Sequence, residues 1–197
     1  MKTAKVNSLN TSVQESLPLT VPAGYDPLPP VDFATPLDST PRYTVHSSPI
    51  GELLLIGDGQ SLTALHMVPD QRYSPSIDPD WRKDPGLFAE VERQLDAYFA
   101  GQLRTFNLPL APRGTIFQRA VWRSLTTIPY GHTTTYGRIA TALGQPTASR
   151  AIGMANGRNP ISIIVPCHRV IGADGSLTGY GGGLPRKQQL LRLERSA

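Results

Sequence analysis

Apolar residues recur along the chain at two different periods, and the changes of period mark out its elements. From Arg42 onward, Tyr43, Val45 and the run Leu53-Leu54-Leu55-Ile56 have strand character, Gly57-Asp58-Gly59 reads as a turn, and Leu62 to Val68 resumes a strand. This predicts antiparallel hairpin material. After a polar stretch from Asp70 to Asp84, Leu87, Phe88, Val91, Leu95 and Phe99 fall at helical spacing, with Gly101 just past the end.

A second helical pattern opens at Gly114-Thr115. Thr115 and Gln118 form a capping-box pair, and Phe117, Ala120, Val121 and Leu125 share one face. Thr133-Thr134-Thr135 is an N-cap cluster for a helix carrying Tyr136, Ile139, Ala140 and Leu143, stopped by Gly144-Gln145-Pro146. Thr147 is expected to cap a further helix, Ala148 to Asn156, closed by Gly157. Two short helices joined by a Gly-containing turn make a helix-turn-helix candidate, although the same shape also occurs as an ordinary helical hairpin. Small residues (Ala148, Ala151, Gly153, Ala155) leave the second helix thin, so that with Arg150 it can enter a groove closed to bulkier helices.

Ile161-Ser162-Ile163-Ile164-Val165 reads as a buried strand, and a final helix begins at Pro185. The first 41 residues hold Pro18, Pro22, Pro27, Pro29, Pro30, Pro36 and Pro41 with no sustained period. They read as an extended or disordered leader, part of which can lie against the domain. The organisation is therefore a leader at 1–41, a small α/β domain at 42–110, and a mainly helical domain at 111–197, an α+β chain overall.

Charge changes the picture more than length does. Residues 1–112 carry 8 Lys+Arg against 13 Asp+Glu, and residues 113–197 carry 11 against 2, which together return the net +4. A basic second half is the footprint of a module that meets phosphate, or else a solubilising imbalance. One cysteine excludes an internal disulfide, and four histidines with one cysteine cannot build a cysteine-rich zinc site. With no signal-like or membrane-spanning run, the chain reads as cytosolic, in a reducing compartment.

That single thiol stands in Pro166-Cys167-His168-Arg169-Val170. A lone cysteine is either a small buried hydrophobe or a nucleophile, and His168 and Arg169 supply the proton acceptor and the positive charge that a thiolate needs. Neighbours in a regular strand face opposite ways, so His168 reaches the sulfur only through a water or a turn beginning at Pro166. An imidazole base needs an orienting carboxylate, and the basic half offers only Asp174 and Glu194. Asp174 sits in a turn signal, whereas Glu194 shares a helical face with Leu190 and Leu191 and is expected to point inward. Asn159-Pro160 and Gly179-Tyr180-Gly181-Gly182-Gly183 read equally as loop punctuation or as backbone that closely approaches a flat ligand, with Tyr180 as a wall.

The block from Asn159 through Ile171, followed by Gly179 to Leu184, resembles the active-site block of the O6-alkylguanine-DNA alkyltransferases, also called methylated-DNA-protein-cysteine methyltransferases. The likeness extends upstream through Pro129-Tyr130-Gly131, Thr135-Tyr136-Gly137 and Ser149-Arg150-Ala151-Ile152-Gly153, and more weakly to Ser48-Pro49-Ile50-Gly51, so that it covers about residues 42 to 194.

The resemblance implies a ribonuclease H-like N-terminal domain and a helix-turn-helix C-terminal domain. It implies Cys167 as alkyl acceptor, activated through water by His168 with Glu194 behind it and Asn159 bracing the segment. Tyr136 would help rotate the nucleotide and protonate the departing base; Arg150 would fill the vacated stack, with Ala151 and Gly153 on the same DNA-facing helix. The amide of Gly181 would face the guanine oxygen, with Tyr180, Gly182 and Val170 completing the pocket. The implied partner is double-stranded DNA carrying O6-alkylguanine, with O4-alkylthymine open as a second substrate. No cofactor, metal or membrane is implied, and the protein would be a monomer, with cooperative binding along DNA left open.

The chemistry supports the same reading. A group on O6 is hidden in the duplex until the nucleotide is extruded, and a thioether product cannot be exchanged away as a disulfide can, so transfer would be stoichiometric. Two departures stand out: Gly181 occupies a position where some members have serine, which would widen the pocket, and the cysteines that bind zinc in some members are missing. The rival readings are a lesion sensor or regulator without chemistry, and a thiol hydrolase using Cys167, His168 and Glu194.

Overall fold

The computed structural model describes residues 26–68 and 76–196. Residues 1–25 of the leader and part of the polar loop at 69–75 lie outside them. The N-terminal sheet contains β1 (Arg42–Ser48), β2 (Gly51–Gly57), β3 (Leu62–Val68) and β4 (Arg82–Lys83) in the order β3-β2-β1-β4. β1, β2 and β3 pair antiparallel as the hairpin pattern requires, while β4 adds two parallel pairs at the β1 edge.

Strand alternation sends Leu53, Leu55, Leu65 and Met67 into the main core. Leu54, Ile56 and Ala64 face the other way, into a small cluster covered by Tyr43 and Trp81. A 3-10 turn, Pro85–Phe88, leads into α1 (Ala89–Phe99). The buried face of α1 is Val91, Gln94, Leu95 and Tyr98. It is rotated from the expected stripe: Leu87 is exposed, Phe99 is only partly buried, and Tyr98 takes the inward position. The rotation follows from Pro85 opening a 3-10 turn, which puts Leu87 out of phase with the α-helical residues after it.

In the C-terminal half, α2 (Ile116–Thr126) begins with the expected capping box: Gln118 N–H donates to Thr115 Oγ1 at 3.2 Å, and Thr115 N–H donates to Gln118 Oε1 at 2.9 Å. α3 (Tyr136–Ala142) is capped by Thr135, and α4 (Ser149–Gly157) follows after a short turn. Thr147 does not cap α4. Ala148 holds the N-cap position instead, where its methyl group offers no acceptor, and its amide closes the preceding turn by donating to Gln145 O at 2.9 Å. Trp122 Nε1 donates to Ala155 O at 2.8 Å, which pins α4 to α2. Two-residue strands β5 (Thr134–Thr135) and β6 (Val170–Ile171) pair in parallel, and α5 (Leu184–Ser196) closes the chain.

Leader residues 26–41 form no helix or strand, yet they are tied down. Leu28 N–H donates to Thr127 O, Ala34 N–H to Leu110 O and Val31 N–H to Thr126 Oγ1, and Asp32 pairs with Arg123 of α2. At its far end, Leu37 N–H donates to the Asp58 carboxylate, so this strap spans both halves.

Candidate active site

Ile161–Val165 is not a strand. Ile161 makes one parallel bridge to Leu65 of β3, after which the chain turns through Ser162, Ile163 and Ile164. Val165 N–H donates back to Ile161 O at 3.0 Å, and buried Ile163 is held at φ 70°. A β-branched residue in the left-handed region costs about 1 to 3 kcal/mol, so the surroundings must enforce it. Asn159 does much of that: its Nδ2 donates to Val165 O at 2.8 Å and to Ile161 O at 3.3 Å, and its Oδ1 accepts from Ile161 N–H at 3.0 Å. Four of the five residues, Ile161, Ile163, Ile164 and Val165, are buried here by a turn rather than by pairing in a sheet.

The turn delivers Pro166 as the N-cap of a 3-10 helix, Cys167–Arg169. Cys167 is 4% exposed, and its Sγ receives a 3.1 Å hydrogen bond from Asn159 Nδ2. Burial pushes the thiol pKa up, opposed by the Asn159 bond and by the Lys187 ammonium. The His168 ring makes no hydrogen bond to the sulfur and is held by Glu194 instead. Its Nε2 lies 2.8 Å from Glu194 Oε1, while Nδ1 has no hydrogen-bond partner among the described residues.

Glu194 is the hub. Oε1 also accepts from Tyr98 Oη at 2.8 Å and from Arg169 Nη2 at 2.9 Å, and Oε2 accepts from Arg169 Nε at 2.9 Å and from Gly131 N–H at 3.2 Å. Burial alone would keep this carboxyl protonated, but His168 and Arg169 together hold it well below the usual carboxylate range. Burial drives His168 the other way, toward the neutral imidazole, with Glu194 opposing and Arg169 and Lys187 adding to the shift. A neutral ring that donates Nε2–H to an ionised Glu194 carries its lone pair on Nδ1.

One expectation changes here. Arg169 does not face the thiol; it is consumed by Glu194 and by Ile128 O at 2.6 Å. The positive charge beside the sulfur belongs instead to Lys187. Its side chain is fully buried, with Nζ donating to Val170 O at 2.6 Å and to Thr178 O at 3.1 Å. The signal was present: Lys187, Leu190, Leu191 and Glu194 fall at i, i+3, i+4 and i+7 on the buried face of α5.

A cavity of about 320 Å³ opens beside Cys167, lined among others by His66, Asn156, Asn159, Ser162, Tyr180 and Gly181. It adjoins a second cavity of about 310 Å³ under α4, lined by Tyr136, Gly153 and Met154; Gly157, Arg158, Tyr180 and Gly181 line both. Gly153 faces the Tyr136 ring, and a Cβ there would sit 3.7 Å from it, an ordinary van der Waals distance. Tyr136 Oη bonds Thr178 Oγ1 at 2.8 Å, and burial holds its phenol pKa up.

Tyr180 and Gly181 thus line the cavity beside the sulfur, whereas Val170 and Gly182 do not. Val170 is fully buried in β6, and a Cβ at Gly182 would collide with the Met67 sulfur, so that glycine serves packing against β3. Arg150 and Ala151 are exposed on the first turn of α4, outside both linings. Sequence reasoning did not single out Tyr98, His66, Thr178 or Lys187. Among the described residues no group of three or more His, Cys, Asp or Glu side chains is placed to hold a metal ion.

Comparison with known proteins gives a consistent picture. Residues 42–112 match the family described as 6-O-methylguanine DNA methyltransferase, ribonuclease-like domain, and residues 116–196 match the DNA binding domain of the same description. The methylated-DNA–protein-cysteine methyltransferase of Mycobacterium tuberculosis is 57% identical over 155 residues, covering 79% of this chain and 93% of that protein. The enzyme of the same name from Methanosarcina acetivorans is 52% identical over 154 residues, covering 78% and 98%. Among solved structures, Mycobacterium tuberculosis OGT in complex with DNA superposes with TM-score 0.73 at 55% identity, covering 79% of this chain and 93% of that one.

Proposed function

This chain belongs to the 6-O-methylguanine DNA methyltransferase family, and from that premise we propose that Cys167 takes the alkyl group from O6-alkylguanine extruded from double-stranded DNA. The chain is a methylated-DNA–protein-cysteine methyltransferase, a DNA-binding enzyme that repairs DNA by direct alkyl transfer. The observation that carries the residue assignment is Cys167 Sγ at the wall of a cavity, braced by Asn159 at 3.1 Å, with the His168–Glu194 pair behind it.

The thiol proton passes through a water to His168 Nδ1, the ring's free lone pair, while Nε2–H stays on Glu194. The Lys187 charge favours the resulting thiolate. The sulfur then attacks the alkyl carbon in line: an S–C bond forms as the C–O6 bond breaks, and the departing guanine takes a proton from Tyr136. Proton exchange restores the phenol and the neutral imidazole, so the net proton movement is from the thiol to the base. Burial keeps Tyr136 protonated until it donates. The thioether is not exchangeable, so each molecule acts once and needs no cofactor.

For the sulfur to reach the lesion the nucleotide must leave the stack, and poorly paired alkylated bases cost less to extrude. In this reading α4 lies along DNA, Arg150 fills the gap, Gly153 and Ala151 keep the helix thin, and Gly181 leaves space for substituents larger than methyl. The domain at 111–197 carries DNA binding and transfer, with 42–110 packed against it. No described helix is long and apolar enough to cross a membrane. A free thiol fits a reducing cytoplasm.

The test pairs transfer with binding. Cys167→Ser is expected to abolish alkyl transfer from an O6-methylguanine duplex while binding that duplex as the wild type does. A serine variant that still removes the methyl group would contradict the assignment.

A further inference from the structure

Glu194 receives one of its hydrogen bonds from outside the C-terminal half of the chain. Tyr98, on α1, is fully buried and donates to Glu194 Oε1 at 2.8 Å. We propose that Tyr98 is a positioning residue for alkyl transfer: its hydroxyl shares Oε1 with the His168 imidazole and so sets how strongly Glu194 holds that ring. The N-terminal domain thereby takes part in the chemistry. The inference rests on reading Cys167, His168 and Glu194 as the transfer machinery.

Three donors converge on Oε1, from Tyr98, His168 and Arg169, and a carboxylate oxygen offers two lone pairs. The donors therefore compete, and each weakens the oxygen's hold on the others. Removing the Tyr98 hydroxyl concentrates the carboxylate's charge on His168, which makes Nδ1 retain a proton to higher pH. The base must be neutral to take the thiol proton, so the consequence falls on the rate at its acidic limb.

Packing alone does not account for the hydroxyl. The Tyr98 ring sits 5.3 Å from Phe99, 5.3 Å from Phe106 and 5.9 Å from Tyr130, a cluster in which phenylalanine would fit as well. A buried hydroxyl needs a partner, and this one has a catalytic carboxylate. Burial and the adjacent Glu194 push the phenol pKa far up, so it remains a donor throughout the working range. The other groups facing the pair are Arg169, Lys187 and Cys167 from the C-terminal half, and Tyr130 with the Arg104 guanidinium over its ring. Tyr98→Phe leaves all of them in place.

The experiment measures single-turnover transfer from an O6-methylguanine duplex by Tyr98→Phe, across the pH range in which imidazole titrates. Losing a hydrogen bond to a charged group predicts an acidic limb displaced to higher pH, transfer roughly ten-fold slower along that limb, and unchanged affinity for the duplex. An NMR titration of the His168 ring gives a second reading, independent of the rate, in which the pKa rises. An unchanged rate, a slower rate with an undisplaced limb, or an unmoved His168 titration would each overturn the proposal. A wild-type protein that transfers nothing overturns the transfer reading itself, and this proposal with it.

Discussion

Burial lowers the Lys187 ammonium to a pKa of about 8 from an ordinary 10.5, although the nearby Cys167 pulls it up. Below about pH 8 the lysine is protonated in both folded and unfolded chains, and the burial penalty is about 3 kcal/mol. Between about 8 and 10.5 the unfolded chain still binds the proton that the folded one has released, so this group's contribution to stability rises with pH. Cys167 works against it, because its raised pKa makes the folded state hold a proton longer. Lys187→Met isolates the lysine. From pH 8 to 10 the wild type should gain melting temperature relative to the variant, and at pH 7 the variant should transfer more slowly, since the thiolate has lost its positive neighbour. Melting curves that stay parallel across that range would show that Lys187 does not titrate as described.

The elements divide by how local their causes are. The α2 capping box is written in Thr115 and Gln118 and forms as read, because both partners lie within one turn. Ile161–Val165 misleads because a run of apolar residues reports burial without reporting shape; what makes it a turn is the Asn159 side chain bonding Val165 and Ile161. The face of α1 is displaced for a similar reason, since Pro85 sets a 3-10 turn that the helical period does not anticipate. The thin α4 is legible from Ala151 and Gly153 and carries its own prediction. Arg150→Ala should weaken repair of duplex DNA substantially while leaving reaction with free O6-benzylguanine near wild type, because a free base needs no extrusion. Equal losses on both substrates would remove Arg150 from an extrahelical role.

At the scale of the whole molecule, the basic second half and its single thiol are visible by counting, but the seam between the halves is not. Leu65 N–H donates to Pro160 O at 2.8 Å, Ser162 N–H donates to Leu65 O at 3.1 Å, and Arg186 reaches back to the carbonyls of Ile50 and Val68. These contacts join residues about a hundred positions apart and have no periodic signature. They fix the turn that presents Cys167, and the same seam brings Tyr98 to Glu194. The leader shows the limit of composition: its prolines read as extended or disordered chain, and residues 26–41 form no helix or strand, but composition says nothing of the strap's bonds to Thr126, Thr127 and Leu110.

All of this converges on one sulfur atom acting once. Intact-protein mass spectrometry after incubation with excess O6-methylguanine duplex, followed by peptide mapping, should find every active molecule heavier by one methylene group and no more, on the peptide containing Cys167. A protein whose mass is unchanged while the duplex is demethylated, or one that carries the methyl group elsewhere, would contradict the account.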